Sequence, residues 1–199
     1  MYKDHMLLMH ELRSYASPKA RITRMLNAGD LIQVRRGVFL DAGNHDYSIM
    51  SLAAVIYGPS YISFEYALGY YGLVPERVEA LTSATYCKNK NRTFQTPLGN
   101  FHYYYLPASI YPYGILRKEE QTQGYLLATP EKALLDTLYK AKGISSVKSL
   151  TSLLFDDWRM EYERIASMDS EGIAFMAPRY RKKATTLFFE WFKREALNA

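Results

Sequence analysis

The chain of 199 residues is 48% hydrophobic and 23% charged, the balance of a globular protein and not of a disordered or fibrous one. That length suits a single domain near the upper size limit or two small ones. Its 25 Lys and Arg against 20 Asp and Glu give a formal charge of +5, and its lone Cys87 excludes an intrachain disulfide framework and a thiolate-clustered zinc site. No run approaches the ~18 consecutive apolar residues of a membrane-spanning helix. The opening Met1-Tyr2-Lys3-Asp4-His5 carries an early acid and no apolar run before a cleavage site, which argues against a signal peptide. His5, His10, His45 and His102 are scattered without ligand spacing. The expectation is a soluble cytoplasmic protein with no metal and no cofactor.

In chain order, residues 4–14 read as a short helix with Met6, Leu7, Met9 and Leu12 apolar. Ser17-Pro18 then offers a capping hydroxyl and a proline at the first helical position. In the helix that follows, Ile22, Met25 and Leu26 form one buried stripe, and Gly29 suits the left-handed position past its end. The opposite face centres on Ala20, Arg24 and Asn27, flanked by Arg21 and Thr23. A small residue with polar and basic neighbours is what a helix laid against a phosphate backbone presents. Ile32-Gln33-Val34 and Val38-Phe39-Leu40 read as two strands joined by Arg35-Arg36-Gly37, a tight turn in which glycine supplies positive φ. Helix, helix, then a hairpin with arginines at its tip is the order of a winged helix, a helix-turn-helix variant whose second helix enters the major groove. Only about 30 residues precede this wing, fewer than the usual three helices occupy.

Asp41 to Asp46 reads as a polar linker and a domain boundary, dividing a winged-helix-like unit at 1–43 from a second unit at 47–199. Beyond it, Ile49, Leu52, Ala53 and Ile56 predict a helix ending at Gly58-Pro59, and Ser63 caps another with Phe64, Ala67, Leu68 and Tyr71 inward and Gly72 at its close. Segments 79–87, 92–96, 99–106 and 123–128 read as strands. Thr129-Pro130-Glu131 is a strong start signal (a hydroxyl cap, proline at N1, and a carboxylate where the dipole favours it) for a helix burying Leu134, Leu135, Leu138 and Ala141. Short helices near 146–154 and 158–167 lead to a final one from about Pro178, with Ala184, Leu187, Phe188, Trp191 and Phe192 inward. The fold class is α+β: a small winged-helix-like N-terminal unit, a β-rich middle and a helical end.

Charge collects at the two ends. Six bases stand against one acid from Arg13 to Arg36, and again from Arg179 to Arg194, whereas Asp156 to Glu171 holds six acids and two bases. Arg179, Arg181, Lys182 and Lys183 fall at the start of the final helix, where the dipole opposes them. They read as a solvated basic turn or as a patch for an anionic partner.

No phosphate-binding loop, dinucleotide fingerprint, nucleophile elbow or zinc-protease motif occurs. Cys87 has no base beside it in sequence. Lys132, Asp136 and Lys140 recur every four residues, the spacing of an ion-pair ladder on a helix's outer face, and the 18 tyrosines suit packing or an interface better than base stacking. No catalytic residue is expected.

Three stretches together carry a family likeness: Arg24-Met-Leu-Asn-Ala-Gly-Asp-Leu-Ile-Gln-Val-Arg-Arg-Gly-Val-Phe39, Tyr61-Ile-Ser-Phe-Glu-Tyr-Ala-Leu-Gly-Tyr-Tyr-Gly-Leu73, and Ala128-Thr-Pro-Glu-Lys-Ala-Leu-Leu-Asp-Thr-Leu-Tyr139. Over roughly residues 15–140 the chain resembles the AbiEi family, antitoxins of bacterial type IV toxin–antitoxin systems. The second stretch is similar to that family's Ser-x-x-x-Ala-Leu-x-x-x-Gly-Leu helix, and the third to its most distinctive element. The resemblance implies an N-terminal winged helix that binds repeats in the operon's own promoter and represses it. It also implies a C-terminal domain antagonising a nucleotidyltransferase-like toxin, AbiEii. It marks Arg21, Thr23, Arg24, Arg35 and Arg36 as DNA contacts, to which the helix face adds Lys19 and Asn27.

The leading expectation is a DNA-binding antitoxin and autorepressor that neutralises promoter phosphates with its helix and wing. The runner-up is a protein-interaction module with a vestigial winged helix and no specific DNA binding. An enzyme acting on nucleotides is the third, and it would need a carboxylate pair or phosphate loop that is not visible.

Overall fold

The computed structural model describes residues 2–44 and 46–196, so His45 lies outside the described residues. The fold is mixed α+β, with a three-stranded and a six-stranded sheet and a helical C-terminal end.

The N-terminal unit runs β1 (Lys3–Asp4), α1 (His5–Glu11), α2 (Pro18–Ala28), β2 (Leu31–Arg35) and β3 (Val38–Asp41). Asp4 caps α1 by accepting from the Leu7 amide at 2.7 Å, and Lys3 in β1 pairs with Glu11 and Asp41. Residue 4 therefore belongs to a strand end and a cap and not to the helix itself. Ser17 holds the N-cap position of α2, with Pro18 next, but its hydroxyl makes no capping bond. Gly29 closes the helix at φ 78, and the Asp30 amide reaches back to the Met25 carbonyl at 3.0 Å. The sheet order is β1-β3-β2, all antiparallel. Gly37 in the β2–β3 turn has φ 81, the left-handed value such a turn needs.

This sheet packs on both faces. Leu31 and Phe39 join Leu8 and Ile22 in a small core under α1 and α2. Val34, Val38 and Leu40 belong instead to the main core of the molecule, so the hairpin is seated on the rest of the chain and not hung from a linker.

Beyond Asp46 the chain forms α3 (Ile49–Ile56), β4 (Ser60–Ile62), α4 (Phe64–Tyr70), β5 (Leu81–Thr85), β6 (Arg92–Thr96), β7 (Gly99–Tyr105), β8 (Ile115–Glu120) and β9 (Gln123–Ala128). The large sheet has the order β6-β7-β5-β4-β9-β8, with parallel β4–β9 and β5–β7 pairs among antiparallel ones. Next come α5 (Pro130–Lys140), α6 (Val147–Thr151), α7 (Tyr162–Ala166), α8 (Ser170–Met176) and α9 (Lys183–Ala196). The run expected at 146–154 continues past α6 as a π-helical turn over Ser152–Asp157. The final helix begins at Lys183 and not at Pro178: Pro178 sits in a 3₁₀ turn over Ala177–Tyr180, and Arg181, at φ 49, breaks the path between the two.

α5 is the central helix. From Lys132 to Leu138 every residue is buried, because α4, α8, α9 and β9 pack around it. The expected capping is present, with Thr129 Oγ1 accepting from the Lys132 amide at 3.2 Å. The outer-face ladder is not. Lys132 and Asp136 are 0% exposed, and Lys140 pairs across to Glu65 of α4 at 3.1 Å. Spacing by four places residues on one face of a helix without saying what covers that face; here β4, the start of α4 and the 3₁₀ turn do.

Candidate nucleic-acid interface

On α2 the apolar stripe Ile22, Met25 and Leu26 turns inward, and Lys19, Thr23, Arg24 and Asn27 are all exposed around the half-buried Ala20. Among the described residues none of Lys19, Arg24 and Arg36 is engaged in an ion pair, so these charges are directed only at solvent. Thr23 Oγ1 donates to the Lys19 carbonyl at 3.2 Å, a back-bond that orients the hydroxyl and leaves its lone pairs outward. Arg21 lies at the margin of the face. Its guanidinium stacks over the Tyr15 ring at 5.3 Å, and its Nε is buried without a partner among the described residues.

The two wing arginines part company. Arg36 is exposed in the turn, one residue from Gly37. Arg35 is half-buried, and its Nη1 donates to the carbonyl of Ile56, the last residue of α3. A β-bulge is responsible. Gln33 pairs with Phe39, yet Arg35 and not Val34 pairs with Val38, so Val34 and Arg35 together oppose one residue. Residues paired across a ladder share a face, and Val38 faces the main core. The bulge thus aims Arg35 into the body and away from the surface that Arg36 occupies. Of the seven α2 and wing positions expected at DNA, five (Lys19, Thr23, Arg24, Asn27 and Arg36) are exposed, Arg21 is at the edge, and Arg35 is committed inward.

The basic C-terminal segment is also divided. Arg179 is half-buried, stacked 3.6 Å from the Phe175 ring centroid and 5.3 Å from that of Tyr113, with its Nη1 donating to the Phe175 carbonyl. Arg181, Lys182 and Lys183 are exposed. Between them Tyr180 points inward, so these bases do not form the first turn of one helix.

Sequence reasoning missed the cluster that Tyr180 enters. Asp136 Oδ2 accepts from Ser63 Oγ at 2.7 Å and Tyr61 OH at 3.0 Å, and Oδ1 accepts from Tyr180 OH at 2.5 Å and pairs with Lys132 Nζ at 2.8 Å. Lys132 Nζ also donates to the Ile110 carbonyl and to the Tyr180 oxygen, both at 2.7 Å. The three ammonium protons and both carboxylate oxygens are therefore occupied. Burial pulls the Lys132 pKa down against the opposing pull of Asp136. Burial, with the Asp136 charge added, pushes the phenols of Tyr61 and Tyr180 well up. A closed, satisfied and fully buried network of this kind holds elements together; it presents no group to a substrate. The signal in the sequence was that four of its members, Tyr61, Ser63, Lys132 and Asp136, lie in two of the three motifs quoted above, Tyr61–Leu73 and Ala128–Tyr139. Those motifs meet again where Tyr71 OH donates to the Ala128 carbonyl at 2.9 Å.

No group of three or more His, Cys, Asp or Glu side chains placed to hold a metal occurs among the described residues, nor does a helix long and apolar enough to cross a membrane. Cys87 is exposed, at φ 55. No family model matches this chain, and no curated protein matches it.

Proposed function

We propose that the chain is a DNA-binding antitoxin and autorepressor of the AbiEi type. The observation that carries this reading is the outward face of α2, where Lys19, Thr23, Arg24 and Asn27 stand exposed and, among the described residues, free of acidic partners, in a helix–helix–wing unit that also exposes Arg36. Lys19, Arg24 and Arg36 would neutralise phosphates and set the register, and Thr23 and Asn27, with Arg24, would reach base edges. The likeness of the Tyr61–Leu73 and Ala128–Tyr139 motifs to that family extends the proposal to a nucleotidyltransferase-like toxin as the partner of the C-terminal part.

The test is a titration of the purified chain with the duplex upstream of its own gene and with a scrambled duplex, at two salt concentrations. Preference for the native duplex and weaker binding at higher salt support the reading. Three phosphate contacts would give a log–log salt slope of about −2.7, at roughly −0.9 per contact. Absence of binding at low salt sinks it in favour of a protein-interaction module. One observation favours that second reading: Met6 is 80% exposed and Leu7 41% on α1, apolar surface in the same unit that DNA phosphates would not use.

A further inference from the structure

We infer that Arg35 is a positioning residue that fastens the wing to the C-terminal end of α3, so that the DNA-facing unit and the body behave as one rigid piece. The consequence for DNA rests on the function proposed above; the fastening does not.

The argument starts from the backbone. A regular hairpin would turn Arg35 to the face opposite Val34, beside α1 and α2. The bulge places both residues on the body side, against Val38. The Arg35 guanidinium there meets the last carbonyl of α3, one of the four that a helix leaves without an internal partner. A cation at a helix C-terminus is also favoured by the helix dipole. The same turn of α3 is held from a second side, because the phenol of Tyr103 in β7 donates to the Ala53 carbonyl at 2.7 Å. Tyr103 packs in turn on Tyr57, the residue after Arg35's acceptor, with centroids 5.3 Å apart. Val34, Val38 and Leu40 seal the junction with apolar contacts. The end of α3 is thus a node to which the wing, through Arg35, and the large sheet, through Tyr103, are both tied. Adjacent arginines have opposite tasks: Arg35 sets where the wing stands, and Arg36 meets what lies beyond it.

The test compares full-length wild type, Arg35→Ala, Arg35→Lys and Arg36→Ala by hydrogen exchange and by DNA titration over a salt series. Fastening predicts that Arg35→Ala speeds amide exchange across residues 31–41 by roughly tenfold, the effect of losing one charge-assisted hydrogen bond, whereas Arg36→Ala leaves it unchanged. On DNA, Arg35→Ala lowers affinity at every salt concentration with the slope unchanged, whereas Arg36→Ala flattens the slope by roughly 0.9. Arg35→Lys separates the roles further, since a phosphate contact tolerates lysine and a guanidinium seated on a buried carbonyl does not. Unchanged exchange in Arg35→Ala overturns the inference. So does a flattened slope in that variant with wild-type affinity retained by Arg35→Lys. If Arg35→Ala loses its far-ultraviolet signal, exchange in Arg35→Lys decides by the same criterion. Faster exchange in a protein that binds no duplex leaves the fastening standing and removes the DNA reading alone.

Discussion

The hydroxyl of Tyr180 donates to Oδ1 of Asp136 at 2.5 Å, joining a turn just before the last helix to the middle of the central one. Four elements converge on that carboxylate: β4 through Tyr61, the α4 cap through Ser63, α5 through Lys132, and the 3₁₀ turn through Tyr180. Lys132 and Asp136 are the two charged side chains buried in the core among the described residues.

Removing one partner leaves the other charged and buried. Asp136→Leu strands the Lys132 ammonium, and Lys132→Met strands the carboxylate, so each single change is expected to destabilise by about 3–5 kcal/mol. The double change Lys132→Met with Asp136→Leu removes both charges together and should cost much less than the two singles added. Urea unfolding of the three variants checks this. Additive losses would mean that the two side chains do not depend on each other.

The same residues show what sequence could and could not reveal. The α2 helix with Gly29 past its end, the Gly37 turn and the Thr129 cap are local features, written within four or five residues, and they are present as expected. β8 was not legible: Ile-Leu-Arg-Lys-Glu-Glu is an exposed edge strand that, among the described residues, pairs with β9 alone, so it carries no apolar alternation. β4, three residues long, was equally silent. The polar face of α5 looked solvated because its cover comes from a turn more than 40 residues away in sequence. The wing arginines looked equivalent because a bulge is a property of strand pairing, which neither strand displays alone.

Raised phenol pKa values make stability fall at high pH. Tyr61 and Tyr180 have folded-state values well above the ordinary 10.0. In the unfolded chain they lose protons near pH 10 that the folded chain retains, so their contribution is complete below about pH 10 and declines above it. Lys132 acts in the opposite sense, since its folded value lies below 10.5 and stability from it rises as pH approaches that figure. Tyr71 and Tyr111, each raised by burial to about 12, add to the tyrosine side. The net expectation is a falling urea midpoint between pH 9 and pH 11, roughly the range where tyrosine titrates, with a shallower fall in Tyr180→Phe. A midpoint that climbs through this range would show that the lysines whose values burial lowers, Lys132 and Lys140, dominate.

Gly114 accommodates the cluster from outside. It has φ 65, and a Cβ there would lie 2.7 Å from Met176 Sδ and 2.8 Å from Lys132 Cβ. Its carbonyl also accepts from the Thr129 amide at 2.8 Å, at the start of α5. Gly143 has a similar φ of 79 with open space around it. Gly143→Ala should therefore cost only the backbone penalty, about 1 kcal/mol, and Gly114→Ala about 1–3 kcal/mol more, because it also overpacks the core. Thermal melts of the two variants make the comparison, and equal losses would remove the steric part of this account.

If the chain binds DNA as proposed, the exposed face of α2 should separate into groups that set affinity and groups that set choice of sequence. Arg24 and Arg36 are exposed and free of acidic partners among the described residues. As phosphate contacts, each changed to alanine should weaken native and scrambled duplexes alike and flatten the salt slope by roughly 0.9. Thr23 and Asn27 carry no charge and stand on the same face, around Ala20. Their replacement by alanine should leave the slope intact and shrink the preference for the native duplex, by about 1–3 kcal/mol for a side chain that makes a good base-edge pair. Fluorescence anisotropy with both duplexes over a salt series resolves the two effects. If Asn27→Ala retains full preference while Arg24→Ala loses it, Arg24 reads bases and Asn27 lies outside the groove. If all four variants titrate like wild type, α2 is not the DNA-facing helix, and the C-terminal bases Arg181, Lys182 and Lys183 become the next positions to change.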